Sequence, residues 1–112
     1  MKLSVGDRVT IMGKLFPENN DFVGIRAVKS IRKKIDLSTK EIADIEFTST
    51  PDPLVRNKVY MDWKKDKEKP LNVTFDSTET KFLKENVKRL DAAKQIAELE
   101  YSLFESINAL PD

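Results

Sequence analysis

The side chains best placed to do chemistry are cationic. Arg26, Lys29, Arg32, Lys33 and Lys34 follow one another with no acid between them. Lysine and arginine contact phosphates whatever the base sequence, so this set suits the sequence-independent part of nucleic-acid binding. Lys84, Lys88 and Arg89 extend it if their segment lies alongside. The competing reading is a solvated edge strand that charge protects from aggregation. The run at residues 64–69 mixes lysines with Asp66 and Glu68 and is expected to be a solvated tip.

Catalysis has few parts to work with. Histidine and cysteine are both missing from the sequence, which removes imidazole bases, thiolate nucleophiles and disulfides, along with the ligands zinc and iron favour. Three glycines give neither a nucleophile elbow nor a phosphate-binding loop. Asp62, Asp66, Asp76 and Glu79 lack calcium-loop spacing. The expectation is a non-enzymatic protein with no cofactor and no metal.

Apolar side chains offer a second kind of chemistry, recognition of another protein. Ile96, Leu99, Leu103, Ile107 and Leu110 recur at helical spacing, and Ala93, Ala97, Tyr101 and Phe104 form a second stripe beside them. One supporting surface needs a single stripe, so the second is expected to meet another chain or a self-copy, against the alternative that the whole helix sinks into its own domain. Phe16, Phe22, Tyr60 and Trp63 are aromatic rings able to stack on a base or a cation where two or three are exposed together. Trp63 shares a face with Val59 and Met61 and suits the core, whereas Tyr60 points the other way as an exposed contact.

These residues must be carried by elements. Val5, Val9 and Ile11 suit a first strand. Residues 22–37 are ambiguous: Phe22, Ile25, Val28, Ile31 and Ile35 have spacings that fit an amphipathic helix, while Gly24 and the β-branched residues favour a strand. Residues 42–48 and 59–63 alternate like strands, separated by a rigid loop holding Pro51 and Pro53. In residues 71–90, LNVTFDSTETKFLKENVKRL, Leu71, Val73 and Phe75 alternate with polar residues, Asp76 to Glu79 reverse the chain, and residues 80–83 and 87–90 supply two more strands around one tight turn. Beyond Leu90 the period changes, and Asp91 caps a helix over residues 92–109 that Pro111 stops.

Together with VGDRVTI at residues 5–11, the phrase at 71–90 resembles the small Src-homology-3-like barrels of the Tudor and KOW kind. The resemblance implies a mainly β fold with α, a five- to six-stranded barrel over residues 1–90 followed by a C-terminal helix at 91–112. It also implies a binding module without catalysis, with ligands held between loops at one end, where Phe16, Phe22, Tyr60 and Trp63 would line a groove, and leaves the ligand open.

At 112 residues the chain suits a single core. No stretch approaches the roughly 20 apolar residues of a membrane span, so a cytoplasmic location is expected. The net charge of +1 hides an asymmetry: residues 1–90 carry 19 Lys+Arg against 14 Asp+Glu (+5), and residues 91–112 carry 1 against 5 (−4). The function expected is an adaptor that binds another protein, or self-associates, through the helix and the loops, with Ala97, Tyr101, Phe104, Phe16, Phe22 and Tyr60 as contacts. The alternatives are a KOW-like or Tudor-like nucleic-acid binder using the basic strip, and a structural subunit of a larger assembly such as a virus particle.

Overall fold

Four oxygen-bearing side chains decide where this chain becomes helical. In the computed structural model, which describes residues 1–111, Ser4 accepts from the Asp7 N–H at 3.0 Å while the Asp7 carboxylate accepts from the Ser4 N–H, opening α1 at Val5–Lys14. Asp21 accepts from the Gly24 N–H at 2.7 Å and opens α2 at Phe22–Ile35. Ser38 with Glu41 opens α3 at Thr39–Asp44, and Asp76 with Glu79 opens α4 at Ser77–Ala92. Each such cap satisfies backbone donors that the helix leaves free, worth about 1 kcal/mol. A fifth helix, α5 at Tyr101–Asn108, follows a single 3-10 turn at Glu98–Glu100.

The expected Src-homology-3-like barrel is therefore absent. The chain is 54% helical and 11% strand, with four short strands in two separate two-stranded sheets and no closed barrel among the described residues. β1 (Lys2–Leu3) pairs antiparallel with β4 (Leu71–Asn72), and β2 (Thr48–Pro51) with β3 (Val59–Asp62). Among the expected strands, residues 59–63 are realised as β3, and residues 71–75 only in their first two positions. Residues 5–11, 22–35, 80–83 and 87–90 are helical instead, and residues 42–48 are divided between α3, a turn and the first residue of β2.

Burial of one helical face explains the difference. Val5, Arg8 and Ile11 of α1, then Leu15, point inward at spacings of 3, 3 and 4. Gly24, Ala27, Ile31 and Ile35 do so in α2, and Phe82, Leu83, Asn86, Val87 and Leu90 in α4. The β-branched preference of Val23, Ile25 and Val28 is weak beside that gain. The expected helix over residues 92–109 is broken in the same way by geometry. α4 runs through residue 90 to Ala92, so a division at that point falls within a helix. Lys94 then adopts φ 55°, with its N–H donating to Asp91 and the Gln95 N–H donating back to Leu90. That pair of bonds is a Schellman stop.

α4 packs on both α2 and α5, and the three share a core with α1 and the β1–β4 pair, filled by Leu3, Ile11, Ile31, Leu83, Phe104 and Ile107 among others. Buried polar groups tie this core together. Arg8, 1% exposed, donates to the carbonyls of Ile35 and Asp36 at the C-terminus of α2, and forks onto Glu41 at 2.7 and 3.1 Å. Glu79, equally buried, accepts from Ser30 and Lys34 of α2, each at 2.5 Å. Lys14 pairs with Glu100 and Arg89 donates to the Lys14 carbonyl, fixing the segment between α4 and α5.

Candidate functional site

The β2–β3 hairpin stands apart from this core, because every residue of both strands is exposed. Its register places Pro51 opposite Val59 and Ser49 opposite Met61 on one face, and Thr50 opposite Tyr60 and Thr48 opposite Asp62 on the other. One face thus carries Pro51, Val59 and Met61 beside Ser49, with Val59 44% and Met61 46% exposed. The tip, residues 52–58, adds Leu54, 92% exposed, and Val55. Five of the eleven large exposed apolar side chains therefore fall within residues 54–61.

The hairpin is held firmly at both ends. At the tip, the Asp52 carboxylate accepts from the N–H groups of Leu54 and Val55 and from the Tyr60 hydroxyl, and Asn57 takes φ 64°, a conformation asparagine tolerates. Those bonds, led by that from Leu54, hold the Asp52 carboxyl below its usual pKa; the same Asp52 contact raises that of Tyr60. At the base, Trp63 stacks on Phe47 with ring centroids 5.8 Å apart, donates its Nε1–H to Glu68 at 2.6 Å, and lies beside Gly6 of α1. Lys64 pairs with Glu46 and donates its backbone N–H to Ile45. An isolated two-stranded hairpin is marginal in water, so the anchors at base and tip are what preset its shape.

The cationic residues gather on a different surface. α2 and α4 are antiparallel neighbours: Lys34 near the end of α2 meets Glu79 near the start of α4, and residues 19–24 share an open groove of about 1090 Å³ with the face of α4 running from Ser77 to Arg89. Arg26, Lys29 and Lys33 share one exposed row on α2, opposite its buried side. Lys81, Lys84 and Lys88 form the matching row on α4 and line the groove with Arg89. Two members of the expected strip are diverted. Lys34 pairs with Glu79, and Arg32 lies over the Phe16 ring at 5.3 Å. Burial pushes the Glu79 carboxyl up, but Lys34, Ser30 and the Asp76 N–H together hold it below its usual pKa. Since Ser30 donates to that carboxylate, the trio acts as a helix-to-helix tie.

The expected protein contacts do not form one surface. Phe104 is 2% exposed in the core, which corrects its assignment to a partner-facing stripe; Leu99, assigned to the inward stripe, is 99% exposed. Both reversals follow from the break at Lys94, which resets the helical phase. Tyr101 and Ala97 are exposed, and Glu105 raises the Tyr101 pKa by accepting its hydrogen bond. Phe16 is half-buried against Phe82, Phe22 is 83% exposed at the start of α2, and Tyr60 is on the hairpin. Sequence reasoning missed the apolar pair Val59 and Met61, placing them inward, and missed Lys81, which a helical reading of residues 77–92 puts in register with Lys84 and Lys88. No helix is long and apolar enough to cross a membrane among the described residues.

Comparison with protein-family models, curated proteins and solved structures returns no match.

Proposed function

We propose that this chain is a non-catalytic interaction module that binds another protein through the β2–β3 hairpin. The observation that carries the reading is the exposed face of Pro51, Val59 and Met61 beside Leu54 and Val55. Folding alone gives little reason to fix apolar side chains in an arm that leaves Val55, Val59 and Met61 about half exposed and Leu54 almost wholly so. Association does, because a rigid apolar anchor loses little conformational freedom on binding.

The test is capture from native extract by the intact chain and by the Val59→Ser/Met61→Ser double variant, each with and without nuclease. The proposal expects proteins retained by the intact chain, indifferent to nuclease and lost with the variant, whose thermal midpoint stays near that of the parent. Retention of the same proteins by the variant, or their release by nuclease, overturns it. A second copy as the partner shows itself in sedimentation of the purified chain as concentration-dependent mass that the double variant loses.

A further inference from the structure

We infer that the α2–α4 face is a binding site for single-stranded nucleic acid, independent of the hairpin, with which it shares no residue. Solvated helix faces commonly alternate charge, pairing cations with acids one turn away. α2 contains five cations and no acid. Arg26, Lys29 and Lys33, on the exposed side of α2 outside the groove's lining, make no ion pair among the described residues, and neither do Lys81 and Lys88, which line the groove from α4. Among the described residues no carboxylate is within ion-pair distance of these five cations, although Glu85 stands one turn from Lys81 and from Lys88 on α4. The acids that do line the groove are Asp21 and Glu85, and Asp21 is already bonded to the Gly24 N–H as the cap of α2.

Shape and the remaining lining select the ligand. The groove is open and runs along α4 for residues 77–89, about 18 Å at 1.5 Å per residue, long enough for a strand to lie in it. Its sides carry the Asn19 and Asn20 amides, and its apolar part is Val23 and Phe82. Phe22, 83% exposed, heads the same row as Arg26, Lys29 and Lys33, at spacings of 4, 3 and 4. An exposed ring next to a line of unpaired cations is the combination that holds single strands, the cations on the phosphates and the ring against a base. A duplex keeps its bases stacked inside and offers Phe22 nothing.

The experiment uses the full chain and a fluorescein-labelled oligothymidylate, followed by anisotropy across a salt series, with a duplex of equal length and polyglutamate as competitors. Five engaged cations give a log–log salt slope of about −3.5 for a single strand. Lys29→Glu/Lys33→Glu and Lys81→Glu/Lys88→Glu should each make that slope shallower by about 1.4 and weaken binding more than tenfold at ~50 mM salt. Phe22→Ala should weaken binding about tenfold with the slope unchanged, since it removes stacking alone. All five side chains are exposed, so the thermal midpoint of each variant should match the parent. No binding at low salt, tighter binding of the duplex, equal displacement by polyglutamate, or a Phe22→Ala variant with unchanged affinity overturns the inference.

Discussion

Replacing Arg8 with alanine should cost far more than removing the carboxylate it faces. The guanidinium donates at 2.7 Å to the Ile35 carbonyl and at 2.8 Å to the Asp36 carbonyl, two acceptors at the end of α2 that have little other satisfaction. A buried acceptor left without its partner costs about 1–3 kcal/mol. The side chain also fills core volume, being 1% exposed. Together these put Arg8→Ala at about 3–5 kcal/mol, the range seen when one partner of a buried ionic group is removed. Glu41 differs. Its side chain is 37% exposed, so water screens the pair, and Glu41→Gln should cost about 1 kcal/mol or less. Arg8→Lys keeps the charge but loses the planar fork and should fall between the two. Urea unfolding by circular dichroism measures all three. If Glu41→Gln proves as costly as Arg8→Ala, the ion pair to α3 rather than the carbonyl contacts to the end of α2 carries the contribution of Arg8, and this reasoning is wrong.

Phe104→Ser should cost roughly 3 kcal/mol or more, as large-to-small core changes do, whereas Leu99→Ser and Tyr101→Ser should each stay within about 0.5 kcal/mol of the parent; thermal unfolding separates them. Lys94→Gly should be more stable than Lys94→Ala by about 1 kcal/mol in the same assay, because alanine resists the φ of 55° that the stop after α4 requires. Acid should destabilise the fold in a defined window. Glu79 and Glu41 both titrate below their unfolded values in the folded chain, so their contribution is present in full above about pH 5 and is lost as pH falls through their lowered folded pKa values. A Glu79→Gln variant should start less stable at neutral pH and lose less on acidification, and equal acid sensitivity in the two proteins would count against the Lys34–Glu79 tie.

The capping residues of every helix but one stand in the sequence, yet residues 5–11, 42–48 and 80–83 read as strands by alternation and their helix starts were missed. Ser4 with Asp7, Ser38 with Glu41 and Asp76 with Glu79 are capping boxes at the required spacing, and Asp21 caps α2 alone. The Asp76 cluster reads equally well as a turn, because the same short side chains bond nearby N–H groups in turns and at helix starts. What decides between them is the next stretch, and Phe82, Leu83, Asn86, Val87 and Leu90 follow the helical period. Helix ends were hidden for another reason. The left-handed residues that close α3 and α4 are Glu46 and Lys94, where glycine or asparagine is the usual sign. Missing the second of these carried the helical phase across a break and exchanged Leu99 with Phe104. The basic residues were legible as a set, but their convergence depends on α2 and α4 being neighbours. The exposed face of the hairpin was not legible at all, since alternation marks two faces without saying which one meets the core.

Hydrogen exchange at residues 48–62, free and with the captured partner bound, tests the interaction reading most directly. In the free chain these amides should exchange far faster than those of α2 and α4, because the strands lie outside the core and local opening there leaves the rest folded. Partner binding should slow them selectively, with the helices unchanged. No slowing of the hairpin amides when the partner is bound would contradict the account.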